Sequence, residues 1–314
     1  MKSLLPCLVP AVVLAAFWSG RPWAFSAAIW IYFAAMLLDF VAGEDRDDEQ
    51  AAPYMLRLIT WLWLPLNAAV IATGLIAVTT SDSLNTLYAV SIGAGAISGM
   101  FGIPVAHELM HRERRFERVL AALQMTLFSY THFCIEHVEG HHHNVGLRRD
   151  PATARYGETL YAFLPRSVFG GFVSAWRLDR NRVLRYLLGI AMIYAAIAFT
   201  FGWRGVVFFA AQSAVGILII EVINYVEHYG LTRQESEPVT NRHSWNSSHR
   251  ISNWLMFNVP RHSDHHADAE RPYPLLRHAY DARQLPAGYF AMFVLALFPP
   301  LWRLVMDPLI EVHE

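Results

Sequence analysis

Cysteine is nearly absent from this chain: Cys7 and Cys134 are the only two in 314 residues. That excludes a disulfide framework, a four-thiolate iron or zinc site, and a fused electron-transfer domain of the thiolate-ligated kind. Charge is scarce too, at 16% Asp, Glu, Lys and Arg with a formal net charge of -1. No basic tract occurs outside the segments 107–183 and 226–283, so no nucleic-acid partner is expected. Repeats and low-complexity segments are missing, and no histidine precedes His107. What fills the chain is apolar: 54% hydrophobic and 13% aromatic residues, with a mean hydropathy of +0.27. Soluble domains are rarely this apolar.

The apolar residues come in long uncharged blocks, from Ser3 to Gly20, Pro22 to Leu38, Leu58 to Ser81, Ser83 to Ala106, Tyr186 to Trp203 and Gly205 to Ile220. Each is near the roughly 17 to 25 residues that a membrane helix needs. The expected fold is all-α, a multi-pass membrane helical bundle of about six transmembrane helices under a cytoplasmic histidine-rich cap. The expected spans are 3–20, 22–41, 58–81, 83–106, 185–203 and 205–225, within one integral-membrane domain covering 1–314. The first block carries one Lys and no clear small-residue cleavage site, and a second block follows at once, so a retained hairpin is expected rather than a cleaved signal. Gly95 and Gly99 are spaced for close approach of a neighbouring helix. A seventh block, 284–302, holds Pro286, Pro299 and Pro300; whether it spans or lies along the interface stays open.

Orientation follows from the cations. Eleven Arg fall between His107 and Val183 and seven between Val226 and Arg283, which makes 18 of the 25 Lys plus Arg. The segments 107–183 and 226–283 are therefore expected on the cytoplasmic side of the cell (inner) membrane. Short outer loops then fall around Arg21, Asp82 and Arg204.

The histidines cluster where the spans end. His107-Glu108-Leu109-Met110-His111 places two imidazoles on one helical face. In Glu136-His137-Val138-Glu139-Gly140-His141-His142, His137 and His141 share a face while His142 lies about 100° round the helix. Arg261-His262-Ser263-Asp264-His265-His266 repeats these spacings, and His228 sits in Asn224-Tyr225-Val226-Glu227-His228 at the end of the sixth block. Any one group could be a solvated loop. Together they gather nine imidazoles, more than the four ligands of a tetrahedral zinc site and suited to two metals with room for O2. Ligand type alone leaves Zn, Cu, Fe and Ni open; a need for redox chemistry favours iron.

Glu108, Glu136, Glu227 and Asp264 are candidates to fix imidazole tautomers, with salt bridges to the many Arg as the alternative. Glu221, with Asn224 and His228 on one face, ends an uncharged stretch, where an acid needs a partner. Glu221 and Asn224 are thus candidate supports for the metal site, with a simple interhelical hydrogen bond as the alternative for Glu221.

The boxes HELMH, EHVEGHH, NYVEHYGL and RHSDHHA, with Asp150-Pro151-Ala152-Thr153-Ala154-Arg155 and His243-Ser244-Trp245-Asn246, resemble the AlkB-type alkane monooxygenases. These form part of the membrane desaturase and hydroxylase superfamily, which includes the xylene monooxygenase hydroxylase subunits. The resemblance covers roughly His107 to Tyr280 in order and spacing. It implies two non-haem irons held by His107, His111, His137, His141, His142, His228, His262, His265 and His266, and O2 as co-substrate. It also implies electrons from a rubredoxin- or ferredoxin-type donor with its NAD(P)H-dependent reductase. The implied reaction hydroxylates an unactivated terminal methyl of a hydrophobic substrate such as an alkane. His132, His143, His243, His249, His278 and His313 match no ligand position. Arg112 stands where the family usually has Lys, Val259-Pro260 where Leu-Gln is common, and the chain is shorter than typical members, which leaves the substrate tunnel open.

Several rival readings are compatible with the residues. The same centre could serve alkyl-arene hydroxylation, or a lipid or fatty-acyl desaturase or hydroxylase. HELMH could belong to an intramembrane zinc protease with Glu108 as base, against which the surplus of ligands speaks. A metal transporter would place ionisable groups along its spans, which are here almost free of them. Trp61, Trp63 and Phe101 could line a substrate tunnel, although aromatic residues at such spacing usually just pack.

Overall fold

A computed structural model describes residues 5–19, 24, 26–48 and 54–310. Helices dominate them. Two short apolar helices, α1 (Leu5–Trp18) and α2 (Ala27–Ala42), come first. At 14 and 16 residues they are shorter than a perpendicular crossing of the hydrocarbon core. The outer ends of these two expected spans, the Arg21 loop and His313 lie outside the described residues.

Among the described residues, three helices are long and apolar enough to cross a membrane: Leu56–Thr79 within α3 (Tyr54–Thr79), α4 (Leu84–Met110) and α8 (Arg180–His228). The last runs 49 residues, but it is not one rod. The rings of Tyr194 and Phe209 lie 5.1 Å apart, whereas 15 residues of straight helix would separate them by about 22 Å. The chain folds back at Gly202, whose φ of 64° and ψ of -164° belong to a region essentially reserved for glycine. Sequence alone placed this break at Arg204. That residue instead seals the hairpin's tip, its guanidinium donating to the carbonyls of Val78, Asp82 and Ser83. The turn between α3 and α4 and the Gly202 turn therefore share one end of the bundle.

Small residues set the packing. A Cβ on Gly95 would stand 2.7 Å from Gln212 O, and one on Gly99 3.0 Å from Gly216 Cα. In each case the position on α4 advances with its partner, so α4 and the second limb of α8 run parallel and deliver their C-terminal ends to the same level. His107 and His111 end the one, His228 the other. Five residues of α4, Ser98–Gly102, are wound as π-helix, a register change that commonly marks functional sites.

Beyond this end lies the cap. It contains α5 (Arg115–Thr126), an interrupted helix α6 (133–144) whose Glu136–His141 is again π-helical, and α7 (Leu160–Leu178). Two short helices follow, α9 (Arg250–Leu255) and α10 (His262–Ala267). A two-residue parallel pair, β1 (Trp245–Asn246) with β2 (Arg283–Gln284), ties the last segments together. The block left open at 284–302 forms α11 (Tyr289–Ala296) and α12 (Pro299–Met306). Eight residues make only about 12 Å of helix, so neither crosses a membrane.

Candidate metal centre

Each histidine box is delivered by a separate device. The C-terminal turn of α4 carries His107 and His111, and the π-wound stretch of α6 turns His137, His141 and His142 inward. Helix α10 is held from both ends. Arg261 is only 4% exposed and donates to the carbonyls of Asp45, Asp47 and Leu276. Asp264 accepts two bonds from Arg271 and one from the Arg277 amide at 2.9 Å. A further clamp comes from α2: Asp39, 2% exposed, accepts the amides of Ile251 and Ser252 at the start of α9.

All nine expected imidazoles converge. His107, His111, His137, His142 and His265 form one group, and His141, His228, His262 and His266 a second, with candidate ligand atoms within 4.8 Å of one another in each. The groups adjoin through His142 and His266, whose rings stack 4.4 Å apart. Facing Nε2 atoms stand 3.0 Å apart for His137 and His142, 3.1 Å for His142 and His265, 3.0 Å for His262 and His266, and 3.2 Å for His228 and His262. An ion with bonds of about 2.1 Å to imidazole nitrogen separates neighbouring donors by roughly 3.0 to 3.4 Å, so these gaps match metal coordination. His107 Nε2 and His111 Nε2 are buried without a hydrogen-bond partner, a costly state that a cation removes. The residues present therefore fit two metal ions bound by nitrogen.

Electrostatics points the same way. Burial, and then the neighbouring imidazoles, hold His137, His142, His262, His265 and His266 well below the ordinary histidine range. Such rings are neutral, the form that binds metal.

The carboxylates divide. Glu227 lies 3.2 Å from His262 Nε2 and accepts the Tyr289 hydroxyl at 3.0 Å. Glu108 accepts the Tyr273 amide at 3.1 Å and sits 3.5 Å from Arg112, and Asp264 pairs with Arg271. Both occupy the salt-bridging role that the sequence had left as the alternative. Glu136, Glu221 and Asn224 share a small cavity of about 10 Å³ with Tyr130 and His132, beneath the imidazoles. Glu221 accepts the Tyr130 hydroxyl at 2.8 Å. Burial, then the charges of Asp150 and Glu221, push the Glu136 carboxyl well up.

Sequence reasoning missed the carboxylate that most directly orients a ring. Asp150 accepts from His141 Nδ1 at 2.8 Å, which leaves His141 Nε2 to face His266 Nε2 within the second group, 3.2 Å away. Its own position is fixed by the Thr153 hydroxyl at 2.6 Å and the Ala152 amide at 3.1 Å. The available signal was the Asp-Pro-Ala-Thr turn itself, since Asp readily caps the backbone two residues on. The histidines without an expected ligand role serve elsewhere. His243 caps a turn with Thr240, His249 pairs with Ser247 and His278 with Ser248, and His132 packs between Tyr130 and Phe172. Trp63 packs at steep ring angles against Phe101 and Phe257, and Trp61 donates to Glu117; both are packing residues.

Comparison with known proteins matches the fatty acid desaturase family model over residues 81–296. The chain belongs to this family. Within it, the sequence is similar to alkane 1-monooxygenase 1 of Pseudomonas aeruginosa, 37% identical over 93% of the chain and 84% of that protein. Alkane 1-monooxygenase 2 of the same organism is 40% identical over 71% of the chain, which spans 64% of it. The xylene/toluene monooxygenase hydroxylase component XylM of Pseudomonas putida is 28% identical over 96% of the chain and 87% of that protein. Family membership and the apolar helices together make this a membrane protein, and its histidine groups are compatible with a metal site.

Proposed function

We propose that this protein is a membrane di-iron monooxygenase that hydroxylates an unactivated C–H bond, a terminal methyl of a hydrophobic substrate such as an alkane. The observation that carries this reading is the pair of adjoining all-histidine groups in a chain related over nearly its whole length to alkane 1-monooxygenases. In the reaction one oxygen atom of O2 enters the C–H bond and the other leaves as water, with two electrons and two protons supplied. His107, His111, His137, His142 and His265 would hold one iron, and His141, His228, His262 and His266 the other. Bound iron supplies the O2 chemistry that no side chain here can perform.

The chain's own contribution is position and exclusion of water. The second group is buried throughout, whereas His107, His111 and His142 of the first are only partly buried, and His111 lines a cleft of about 460 Å³. On the membrane side, Met100, Ile219, Ile223, Met256 and Phe290 line a narrow apolar pocket closed by Tyr289, whose hydroxyl reaches Glu227 beside His262. At about 20 Å³ this pocket holds no alkyl chain as it stands; in this reading its side chains part to admit one end-on from the membrane, which would favour attack at a terminal carbon.

The proposal includes six spans, α1, α2, α3, α4 and the two limbs of α8, in one domain over 1–314. The metal centre then faces the cytoplasm and takes electrons from a rubredoxin- or ferredoxin-type donor and its NAD(P)H-dependent reductase. The cation distribution favours that orientation. The similarity to XylM supports a second reading in which the substrate is an alkyl-arene.

The deciding experiment measures iron in the purified protein and traces 18O2 into products formed from alkanes and alkyl-arenes with a donor system present. Two irons per chain and labelled alcohol are expected. A new double bond without label would move the protein to desaturation, and zinc in place of iron would overturn the reading.

A further inference from the structure

A groove of about 990 Å³ runs between α5 and the first limb of α8, away from the metal centre's opening. Its two ends differ in chemistry. At the cap level it is rimmed by Arg115 and Arg118 on α5 and by Arg182 and Arg185 on α8; deeper, it is lined by Val119, Leu123, Met192, Ile193 and Ala196. Both walls run from the cap into the bundle. Glu117 near the start of α5 pairs with Arg57 near the start of α3, while a Cβ on Gly102 in mid-α4 would touch Gln124 at the other end. The limb of α8 leaves the cap at Arg180 and has descended to the level of Phe209 by Tyr194.

The four cations are unequally satisfied. Arg182 pairs with Glu139 and Asp179, and Arg118 donates to the carbonyls of Arg112 and Glu113. For Arg115 and Arg185 no carboxylate lies within ion-pair distance among the described residues. Both are exposed at the rim, directly above apolar side chains that are open as well, Val119 and Leu123 at 49% and Met192 at 60%. In a membrane protein this wall meets the bilayer. Guanidinium groups at headgroup depth, above an apolar slot between helices, complement a molecule with an anionic head and acyl tails. A neutral alkane would leave the arginines unanswered.

We propose that this groove is a binding site for an anionic phospholipid of the surrounding leaflet, with its phosphate held by Arg115 and Arg185 and an acyl chain lying along Val119, Leu123 and Met192. The site is separate from the proposed hydroxylation, so the test needs no activity. The full chain in detergent is titrated with dioleoylphosphatidylglycerol or dioleoylphosphatidylcholine, and bound lipid is counted by native mass spectrometry. Phosphatidylglycerol is expected to bind at about thirtyfold lower concentration, the order that two basic contacts supply. The Arg115→Gln/Arg185→Gln double variant should abolish that preference. Gly189→Phe should reduce binding of both lipids, since a Cβ at Gly189 meets nothing within 4 Å and the ring can enter the groove. Iron content and elution volume matching the parent protein would show that both variants are folded. Equal binding of the two lipids, or a preference that survives the double variant, overturns the proposal. So does displacement of phosphatidylglycerol by oleate with oxygenation of the oleate, which would make the groove a substrate site.

Discussion

At the scale of single residues, the centre depends on what stands behind each imidazole. Asp150 accepts the Nδ1–H hydrogen bond of His141 and is itself fixed by Thr153. Asp150→Asn keeps the shape but removes the charge, so a fall of about 10- to 100-fold in metal affinity or activity is expected with the fold intact. Metal titration beside circular dichroism distinguishes this from unfolding. His132 provides the control: it lies among Tyr130 and Phe172 and outside both histidine groups. His132→Ala is expected to keep its full iron complement while His262→Ala loses metal; equal loss from both would contradict the assignment.

At the scale of elements, two devices aim the boxes. The Gly202 turn makes the second limb of α8 parallel to α4, and the glycines of α4 let the two pack closely. Gly202→Ala meets no atom within 4 Å yet forces a side chain into a conformation that costs about 1–3 kcal/mol. A lower thermal midpoint without loss of the metal-binding residues' geometry is the expected outcome, read by detergent thermal unfolding and iron per chain. Gly95→Val has the opposite character. Its backbone is ordinary helix, but the new side chain collides with Gln212 O and Val215. Separation of α4 from α8 would then pull His107 away from His228, so loss of iron is expected along with loss of stability. The narrow pocket at Met100 and Ile223 belongs to this scale too. Met100→Trp should shift the products toward shorter substrates, measured by product analysis over a chain-length series.

At the scale of the whole molecule, the two histidine groups bring together segments distant in sequence, from α4, α6, α8 and α10, which bound metal would join. Ions that bind only the folded form add stability by mass action, about 4 kcal/mol at a thousandfold excess over the dissociation constant. Removing metal with a chelator should therefore lower the thermal midpoint markedly, and iron should restore it. The proposed orientation is testable independently. In a background with Cys7 and Cys134 replaced by serine, a cysteine at Asp82 should react with an impermeant thiol reagent in intact cells. One at Glu235 should react only after the membrane is opened.

By itself the sequence determined the chemistry and the class. The nine histidines at helical spacing, the uncharged blocks and the scarcity of charge are local patterns, and local patterns reflect periodicity and solvent, which one chain reports directly. What it could not decide were relations between distant segments. The hairpin turns at Gly202, not Arg204, because a glycine's backbone freedom is silent until its neighbours force its use. Asp150, not Glu108 or Asp264, backs an imidazole at its Nδ1, because which carboxylate reaches a ring is set by three-dimensional approach and by competition from Arg112 and Arg271. The division of nine histidines into five and four was likewise invisible: spacing within a box fixes a shared face, whereas only packing of α4, α6, α8 and α10 around one point decides which faces meet.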